Sequence, residues 1–417
     1  MSSVPLEELA DVTMGQSPDS NLVGTGDQGL PFLQGSAEFG RISPTSVLRC
    51  AQPPRKAKGG SILISVRAPV GEMNGADQDY CIGRGLGAFT AKAGIANTIF
   101  LKHAVEQNLP WLHRRSQGST FAAISADDLR SLPIPGLALQ RQDEIATVFA
   151  AVDAAIEGAE ALIEKYQQIK AGLMLDLFTR GVLPDGRLRP KPSEDSALYL
   201  QSEASCIPKD WQASTLQAQI NPARPIAYGI LMPGYGFAGG VPVVKVKDIR
   251  NRRIGVDGLL LTSPQLDHEY RRSRLRPGDI LFTIRGTVGR VALVPPELDG
   301  ANITQDTARI DLLNSSNRFL SYFLETPVAR RFFEINTLGV AVQGINLGEL
   351  RKLPIPIPPL DEQERIAERM DAAGARLDGE VAALCKLHAQ KLGLMQDLLT
   401  GRVSVIVAVA ATELSHA

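Results

Sequence analysis

The chain has 417 residues, a net charge of −1, and 44% hydrophobic, 21% charged and only 5% aromatic residues. This composition excludes wholesale disorder and a collagen-like repeat, and it supplies apolar material for about three units of roughly 150 residues, two or four also being allowed. A charge this near zero excludes a small, purely electrostatic nucleic-acid binder, but not a basic patch on one face.

The N-terminus, Met1-Ser-Ser-Val-Pro-Leu-Glu-Glu8, lacks the basic and apolar regions of a signal peptide. The longest apolar run, 403–411 broken by Ser404, is far short of the ~20 residues that span a bilayer, so a cytoplasmic chain away from the membrane is expected. Cys50, Cys81, Cys206 and Cys385 form no C-x-x-C pair, which leaves a zinc or redox motif little support and points to a reducing compartment.

In chain order, residues 1–136 read as a mixed α/β domain. Ser61-Ile-Leu-Ile-Ser-Val66 is strand-like after a Gly turn, and 98–113 reads as a short helix. Leu132-Pro-Ile-Pro-Gly136 reads as a stiff hinge, because prolines fix φ. Residues 137–181 then read as a long helix: Ile145, Val148, Val152, Ile156, Ala159, Ile163, Tyr166, Ile169, Leu173 and Leu177 recur in steps of three or four, and Arg180-Gly181 supplies a stop. Residues 182–206 are polar and proline-rich, the mark of a linker. A second mixed domain, 207–357, has strand candidates at 241–246, 279–284 and 308–313 and a helix at 319–333. A second proline hinge, Leu353-Pro-Ile-Pro-Ile-Pro-Pro359, precedes a second long helix, 358–402. Its stripe holds Ile366, Met370, Ala373, Leu377, Val381, Leu384, Leu387, Leu394 and Leu398, and 403–417 form a tail.

The chain is thus written twice. Leu129-Arg-Ser-Leu-Pro-Ile-Pro135 matches Leu350-Arg-Lys-Leu-Pro-Ile-Pro356, and Lys170-Ala-Gly-Leu-Met-Leu-Asp-Leu-Phe-Thr179 matches Lys391-Leu-Gly-Leu-Met-Gln-Asp-Leu-Leu-Thr400, both 221 residues apart. Gln142 and Gln363 fall in the same register. Upstream, Gly60-Ser-Ile-Leu-Ile-Ser-Val-Arg-Ala-Pro-Val-Gly71 matches Gly278-Asp-Ile-Leu-Phe-Thr-Ile-Arg-Gly-Thr-Val-Gly289 at an offset of 218. A lone striped helix would leave its stripe wet. Two in one chain can bury each other as an antiparallel coiled coil with pseudo-twofold symmetry, with Ile145, Val152, Ile163, Leu173, Leu177, Ile366, Leu377, Leu384, Leu394 and Leu398 on the seam. The expected fold class is α+β.

Two divergent domains, each followed by a helix with L-P-I-P at its entry and G-L-M-x-D-L-x-T near its end, resemble the specificity subunit of a bacterial Type I restriction-modification enzyme. Ile207-Pro-Lys-Asp-Trp211 resembles the I-P-x-x-W entry to the second target recognition domain, and 278–289 resembles its G-D-I-L...R-G-t-x-G signature. The first domain departs from the pattern, with Ala68-Pro69 for Gly-Thr and only Val4-Pro5 at the entry. The resemblance implies that each domain reads one half of an asymmetric, bipartite site on double-stranded DNA, and that the helices set the spacer. It implies two modification subunits, which carry S-adenosylmethionine and methylate adenine, and restriction subunits, which use ATP and Mg. No cofactor is expected on this chain itself. The alternatives are a non-enzymatic coiled-coil scaffold, or a specificity subunit of a related modification-only or Type II-like system.

DNA contacts are sought among basic and amide side chains, since phosphates supply affinity and base edges supply choice. Between Trp211 and Lys352 basic residues exceed acidic ones by about six, clustering at Lys245, Lys247, Arg250, Arg252 and Arg253 and at Arg271, Arg272, Arg274 and Arg276. Arg67 and Arg285 follow matched strands, where an arginine either reaches a guanine edge or holds the loop through a carbonyl. The second role suits a repeat-matched pair better, because one residue cannot specify two different half-sites. Gln305, Gln343 and Asn302 are candidates for adenine, and Tyr228 and Tyr235 for packing on sugar or base.

No catalytic residue is assigned. Ile82-Gly-Arg-Gly-Leu-Gly87 lacks the spacing and lysine of a phosphate loop, and Asn221-Pro-Ala-Arg224 lacks the second proline and aromatic of an adenine methyltransferase motif. The five histidines show no metal spacing, so no metal site is expected.

Overall fold

The computed structural model describes residues 2–116, 123–202, 206–339 and 343–403. Its contacts divide the chain into two compact units. One holds the residues up to Ala161 together with those from Val381 onward, and the other is Leu162–Glu380. The long helices run Leu139–Arg180 and Leu360–Leu398, so each unit takes the start of one helix and the end of the other.

The first unit is built on a four-stranded antiparallel sheet in the order Ala10–Met14, Leu86–Ala91, Ile62–Ser65, Met73–Gly75. The second unit repeats that order with Ala227–Tyr228, Thr307–Ile310, Ile280–Thr283 and Val291–Leu293. Ile62–Ser65 and Ile280–Thr283, central in their sheets, each open on three apolar residues and are buried throughout, because both of their faces are covered. Ile62 and Ile64 enter one core while Leu63 enters another, and Ile280 and Phe282 are likewise separated from Leu281.

Three local expectations change. The 98–113 helix is two helices, Thr98–Gln107 and Leu109–Arg115, and the 319–333 helix is Asn317–Phe323 followed by Pro327–Asn336. Pro110 and Pro327 sit in the first turn of the second member of each pair, where the missing N–H costs nothing but the preceding helix cannot run through. The proline hinges are strands: Pro133–Pro135 pairs antiparallel with Ser3–Pro5, and Pro354–Ile357 pairs with Gln212–Thr215. Both are two-stranded ribbons, where a strand has an unpaired edge that tolerates proline. The expected linker is also folded where it is described: Tyr199–Gln201 pairs with Cys206–Pro208, and Tyr199 and Arg189 are buried.

Residues 221 apart do the same work in each core. Ile145, Ala146 and Phe149 at the start of the central helix, with Met395, Leu398 and Leu399 from the end of the other, close the first core. Ile366, Ala367 and Met370, with Leu177 and Phe178, close the second. Gln142 is buried; its Oε1 accepts the Asn97 backbone N–H at 3.0 Å and its Nε2 donates to Leu137 O at 2.9 Å. Gln363 repeats this with Ser316 N–H at 2.8 Å and Pro358 O at 2.9 Å. Asn97 and Ser316 are the N-caps of helices Thr98–Gln107 and Asn317–Phe323. Each glutamine therefore locks the start of a domain helix to the start of a long one. Among the described residues no helix is long and apolar enough to cross a membrane.

Candidate nucleic-acid interface

The strands Ile62–Ser65 and Ile280–Thr283 each end in the same turn. The Thr283 hydroxyl donates to Thr287 O and accepts the Arg290 N–H at 2.9 Å, and the Gly289 N–H donates to Thr283 O at 3.0 Å. Ser65 does the same with Pro69 O and the Glu72 N–H, and Gly71 closes that turn. Gly71 and Gly289 have φ of +97° and +96°, a conformation that favours glycine. Past each turn a backbone bond ties the arginine loop down: Ile124 N–H to Val66 O at 3.0 Å, and Ile345 N–H to Ile284 O at 2.9 Å. Among the described residues the bonds that hold each loop come from the hydroxyl and the backbone, the backbones of Arg67 and Arg285 bridging to Ala123 and Gly344. Both arginines are exposed, and neither guanidinium forms a hydrogen bond or ion pair among the described residues.

In the second unit Arg285 faces a cluster. A groove of about 450 Å³ is lined by Val246, Lys247, Arg250, Arg285, Gly286, Thr287, Arg290 and Asp306. Arg290 donates to Val246 O and Ile249 O, both at 3.0 Å, and so fixes the segment that carries Lys247 and Arg250. That segment enters a hairpin, Ile249–Arg250 against Arg253–Ile254, with Asn251 and Arg252 at positive φ in a two-residue turn. Arg252 is the pin. It donates to Ser321 O at 3.0 Å, Ser321 Oγ at 2.8 Å and Glu325 Oε2 at 2.8 Å, and lies 3.7 Å over the Tyr322 ring. Its guanidinium is spent inside the unit, while Lys247 and Arg250 stay exposed. A second groove of about 440 Å³, sharing Lys247, is lined by Lys245, Phe237 and Leu259 among others. The first unit has Glu72 where the second has Arg290, so matched turns carry opposite charge.

The other sequence candidates are scattered. Arg271 and Arg272 are exposed on a short turn, and Arg253 pairs with Asp378 at 2.6 Å. Arg274 is held by the buried Asp267. Asn302 is buried: its Oδ1 accepts the Ser273 hydroxyl at 2.7 Å and its Nδ2 donates to Asp267 at 2.8 Å. An amide so engaged is not offered to a base. Gln305 is half-buried, and Gln343 is exposed, its backbone carbonyl accepting the Gly286 N–H. Arg290 was not singled out in the sequence; its signal was the charge reversal against Glu72 in matched turns.

The family model for the Type I restriction modification DNA specificity domain matches residues 1–168 and 236–381. The chain belongs to this family. Among specificity-subunit relatives, the EcoBI subunit of Escherichia coli is 29% identical over 73% of this chain and 64% of its own length. The MjaX subunit of Methanocaldococcus jannaschii, a putative one, is 36% identical over 44% of this chain and 42% of its own. The chain thus spans less than two thirds of either relative. The solved S subunit of the M. genitalium Type I restriction-modification system has the same fold, with a TM-score of 0.59 at 15% identity, covering 95% of this chain and 96% of that one. A second structure, described under complex assembly and conformational transition of the type I R-M system, gives 0.54 at 17% identity, covering 96% and 98%.

In this specificity-domain chain the helix seam is graded. Ile145, Leu177, Ile366 and Leu398 are buried, whereas Val152, Ile163, Leu173, Leu377, Leu384 and Leu394 are half-buried. Ile169 and Val381 are 49% and 42% exposed, so the stripe is wetter at mid-helix than its spacing suggests. Within each unit the helices run antiparallel. Asp153 meets Lys391 at 3.1 Å in the first, and Arg376 lies 4.6 Å over Tyr166 in the second.

Polar clusters secure these junctions. In the first unit Lys102, His103 and Lys391 surround Asp153 at 3.0, 3.3 and 3.1 Å. Burial alone would raise the Asp153 pKa, but His103 and Lys102 outweigh it and hold the carboxyl well below the usual range. In the second unit Glu362, near a helix start, is no surface charge. It is buried, accepting from Arg189, Val182 N–H at 2.7 Å and Trp211 Nε1 at 3.2 Å.

Proposed function

We propose that this chain is the sequence-reading subunit of a Type I restriction-modification complex in the cytoplasm. Each unit reads one half of a bipartite, asymmetric site on double-stranded DNA, and the paired helices set the spacer. The chain itself is non-catalytic. Two modification subunits supply S-adenosylmethionine chemistry on adenine, and restriction subunits supply ATP- and Mg-dependent translocation and cleavage.

One observation carries this reading: two units share a sheet order and an arginine-bearing turn, yet line that turn with different charges. A shared frame suits a shared backbone, since phosphates look alike in every sequence. Different linings suit different bases. The Lys247, Arg250 and Arg285 cluster is the phosphate-facing part of the second unit.

The test is salt-dependent binding of the chain, assembled with its modification subunits, to a random-sequence duplex. Each phosphate contact contributes about 0.9 to the slope of log K against log salt. Lys247→Ala and Arg285→Ala should each lower that slope by about one, and Arg271→Ala tests whether the distant cluster takes part. An unchanged slope in the Lys247→Ala/Arg250→Ala/Arg285→Ala variant would remove the groove from the DNA surface.

A further inference from the structure

Resting on that reading, we propose that the 228–237 loop of the second unit inserts aromatic and apolar side chains into a groove of the duplex and packs against the bases. Tyr235 and Met232 are its leading residues.

Only 5% of the chain is aromatic, yet among the described residues every exposed Phe, Tyr or Trp lies in this loop or at the end of the strand that enters it: Tyr228 on the strand, Tyr235 and Phe237 in the loop. Leu231 and Met232 are exposed beside them. Tyr235 is as accessible as in an extended peptide, at 108%, and Met232 is 79% exposed. Leaving such rings in water forfeits burial that a core would provide, and a contiguous exposed apolar patch marks an interaction site.

The loop is built rather than slack. The Ile230 N–H donates to Ile303 O at 2.7 Å, and the Phe237 N–H to Leu261 O at 2.9 Å. The Thr262 hydroxyl donates to Pro233 O at 3.2 Å. Both ends press onto neighbouring backbone: a Cβ at Gly229 would lie 1.9 Å from Ile303 O, and one at Gly240 2.1 Å from Thr262 O. At the tip Met232 is held at φ +57°, a conformation unfavourable for a residue with a side chain.

Charge selects the occupant. Gly236, Phe237 and Ala238 share a groove with Lys245 and Lys247, and Lys247 also lines the arginine groove. An apolar tip beside cations fits a duplex, whose phosphates flank a groove floored by bases. Proteins that wedge apolar side chains between base steps use this combination.

The first unit lacks the device. Its corresponding segment leaves Gly15, where a Cβ would meet Gly83 O at 2.1 Å, and continues as Gln16-Ser-Pro-Asp-Ser-Asn21, without an aromatic. A feature present in one unit only is free to specify one half-site.

The experiment uses the chain assembled with its modification subunits. The probe is a duplex around an adenine that is methylated in cells with the gene and not in cells without it, with 5-iodouracil replacing each thymine in turn. Long-wavelength ultraviolet light cross-links iodouracil to an aromatic ring lying against it. Cross-linking to Tyr235 at one or two positions of a single half-site is expected. Tyr235→Ala combined with Met232→Ala should weaken binding to this duplex roughly tenfold or more, the scale of aromatic stacking on a base. Tyr235→Phe should retain binding, and random-sequence binding with its salt slope should stay unchanged. Cross-links elsewhere only, or unaltered affinity in the double variant, would overturn the proposal. Loss of assembly with the modification subunits by the folded double variant would also overturn it, and would make the loop a protein-docking surface. If Lys247→Ala/Arg250→Ala/Arg285→Ala also left all DNA binding intact, the DNA-reading assignment of the unit would fail as well.

Discussion

Glu362→Ala should unlatch the second unit. The carboxylate is 3% exposed and neutralises Arg189, itself 8% exposed, while accepting from Val182 N–H and Trp211 Nε1. Its removal leaves a buried guanidinium whose remaining partners among the described residues are the exposed Asp210 and the neutral Arg180 carbonyl, and two buried N–H groups that lose this acceptor. Breaking a buried pair from one side costs about 3–5 kcal/mol. With a urea dependence of about 2 kcal/mol per molar, the midpoint falls by roughly 2 M. Trp211 lies in the cluster and the chain has one other tryptophan, Trp111, so Trp111→Phe leaves a reporter of this unit alone. In that background the Glu362→Ala transition is read by Trp211 emission. Arg187→Ala, which breaks the exposed Arg187–Asp185 pair, is the control and should leave the midpoint nearly unchanged, because solvent screens an exposed pair. Arg189→Met with Glu362→Leu, which removes both charges, should be less destabilised than Glu362→Ala alone. A Glu362→Ala midpoint equal to that of the control would refute the latch.

Three further outcomes are expected. Asp153 has a depressed pKa when folded, so its stabilisation is complete above the unfolded value of about 4 and is lost as pH falls below it; Asp153→Asn should flatten the acid loss of stability in the first unit, read by Trp111 emission. Leu173→Asp or Leu394→Asp, at half-buried sites packed on the second and first cores, should loosen assembly with the modification subunits, read by size-exclusion chromatography. One heptad inserted after Glu160 and another after Val381, beside the boundaries between the units in both helices, adds about 10.5 Å to each helix. It should widen the spacer by about three base pairs of ~3.4 Å, turn the second half-site by about 100° and leave both half-sites unchanged, as mapped by modified-base sequencing.

Repetition made much of this legible. The 221-residue register located both long helices, the buried glutamines and the core residues at the helix ends, because identical packing keeps identical residues. Gly181 and Gly401 mark helix ends in left-handed conformations, as their position after the last apolar residue implies. Long-range pairing was not legible. The Leu-Pro-Ile-Pro segments are strands only because Ser3–Pro5 and Gln212–Thr215 lie beside them, and nothing local announces those partners. Burial of charge was equally hidden: Glu362 lies in the first turn of a long helix, and nothing local in the sequence pairs it with Arg189, 173 residues earlier. At the candidate site, basic clusters in the sequence mixed two populations. Arg252 and Arg274 are consumed by Glu325 and Asp267, whereas Lys247, Arg250 and Arg285 converge, and only the tertiary fold sorts them.

The central claim is that each unit carries the identity of one half-site. Replacing Gln212–Ile357, which moves both members of the Gln212–Thr215 and Pro354–Ile357 ribbon together, with the equivalent segment of a relative tests it most directly. Methylated adenines are then mapped across the genome of cells carrying the hybrid. One half-site should change to that of the donor, with the other half-site and the spacer retained. Retention of both half-sites, or a change in spacer with the bases unaltered, would contradict the account.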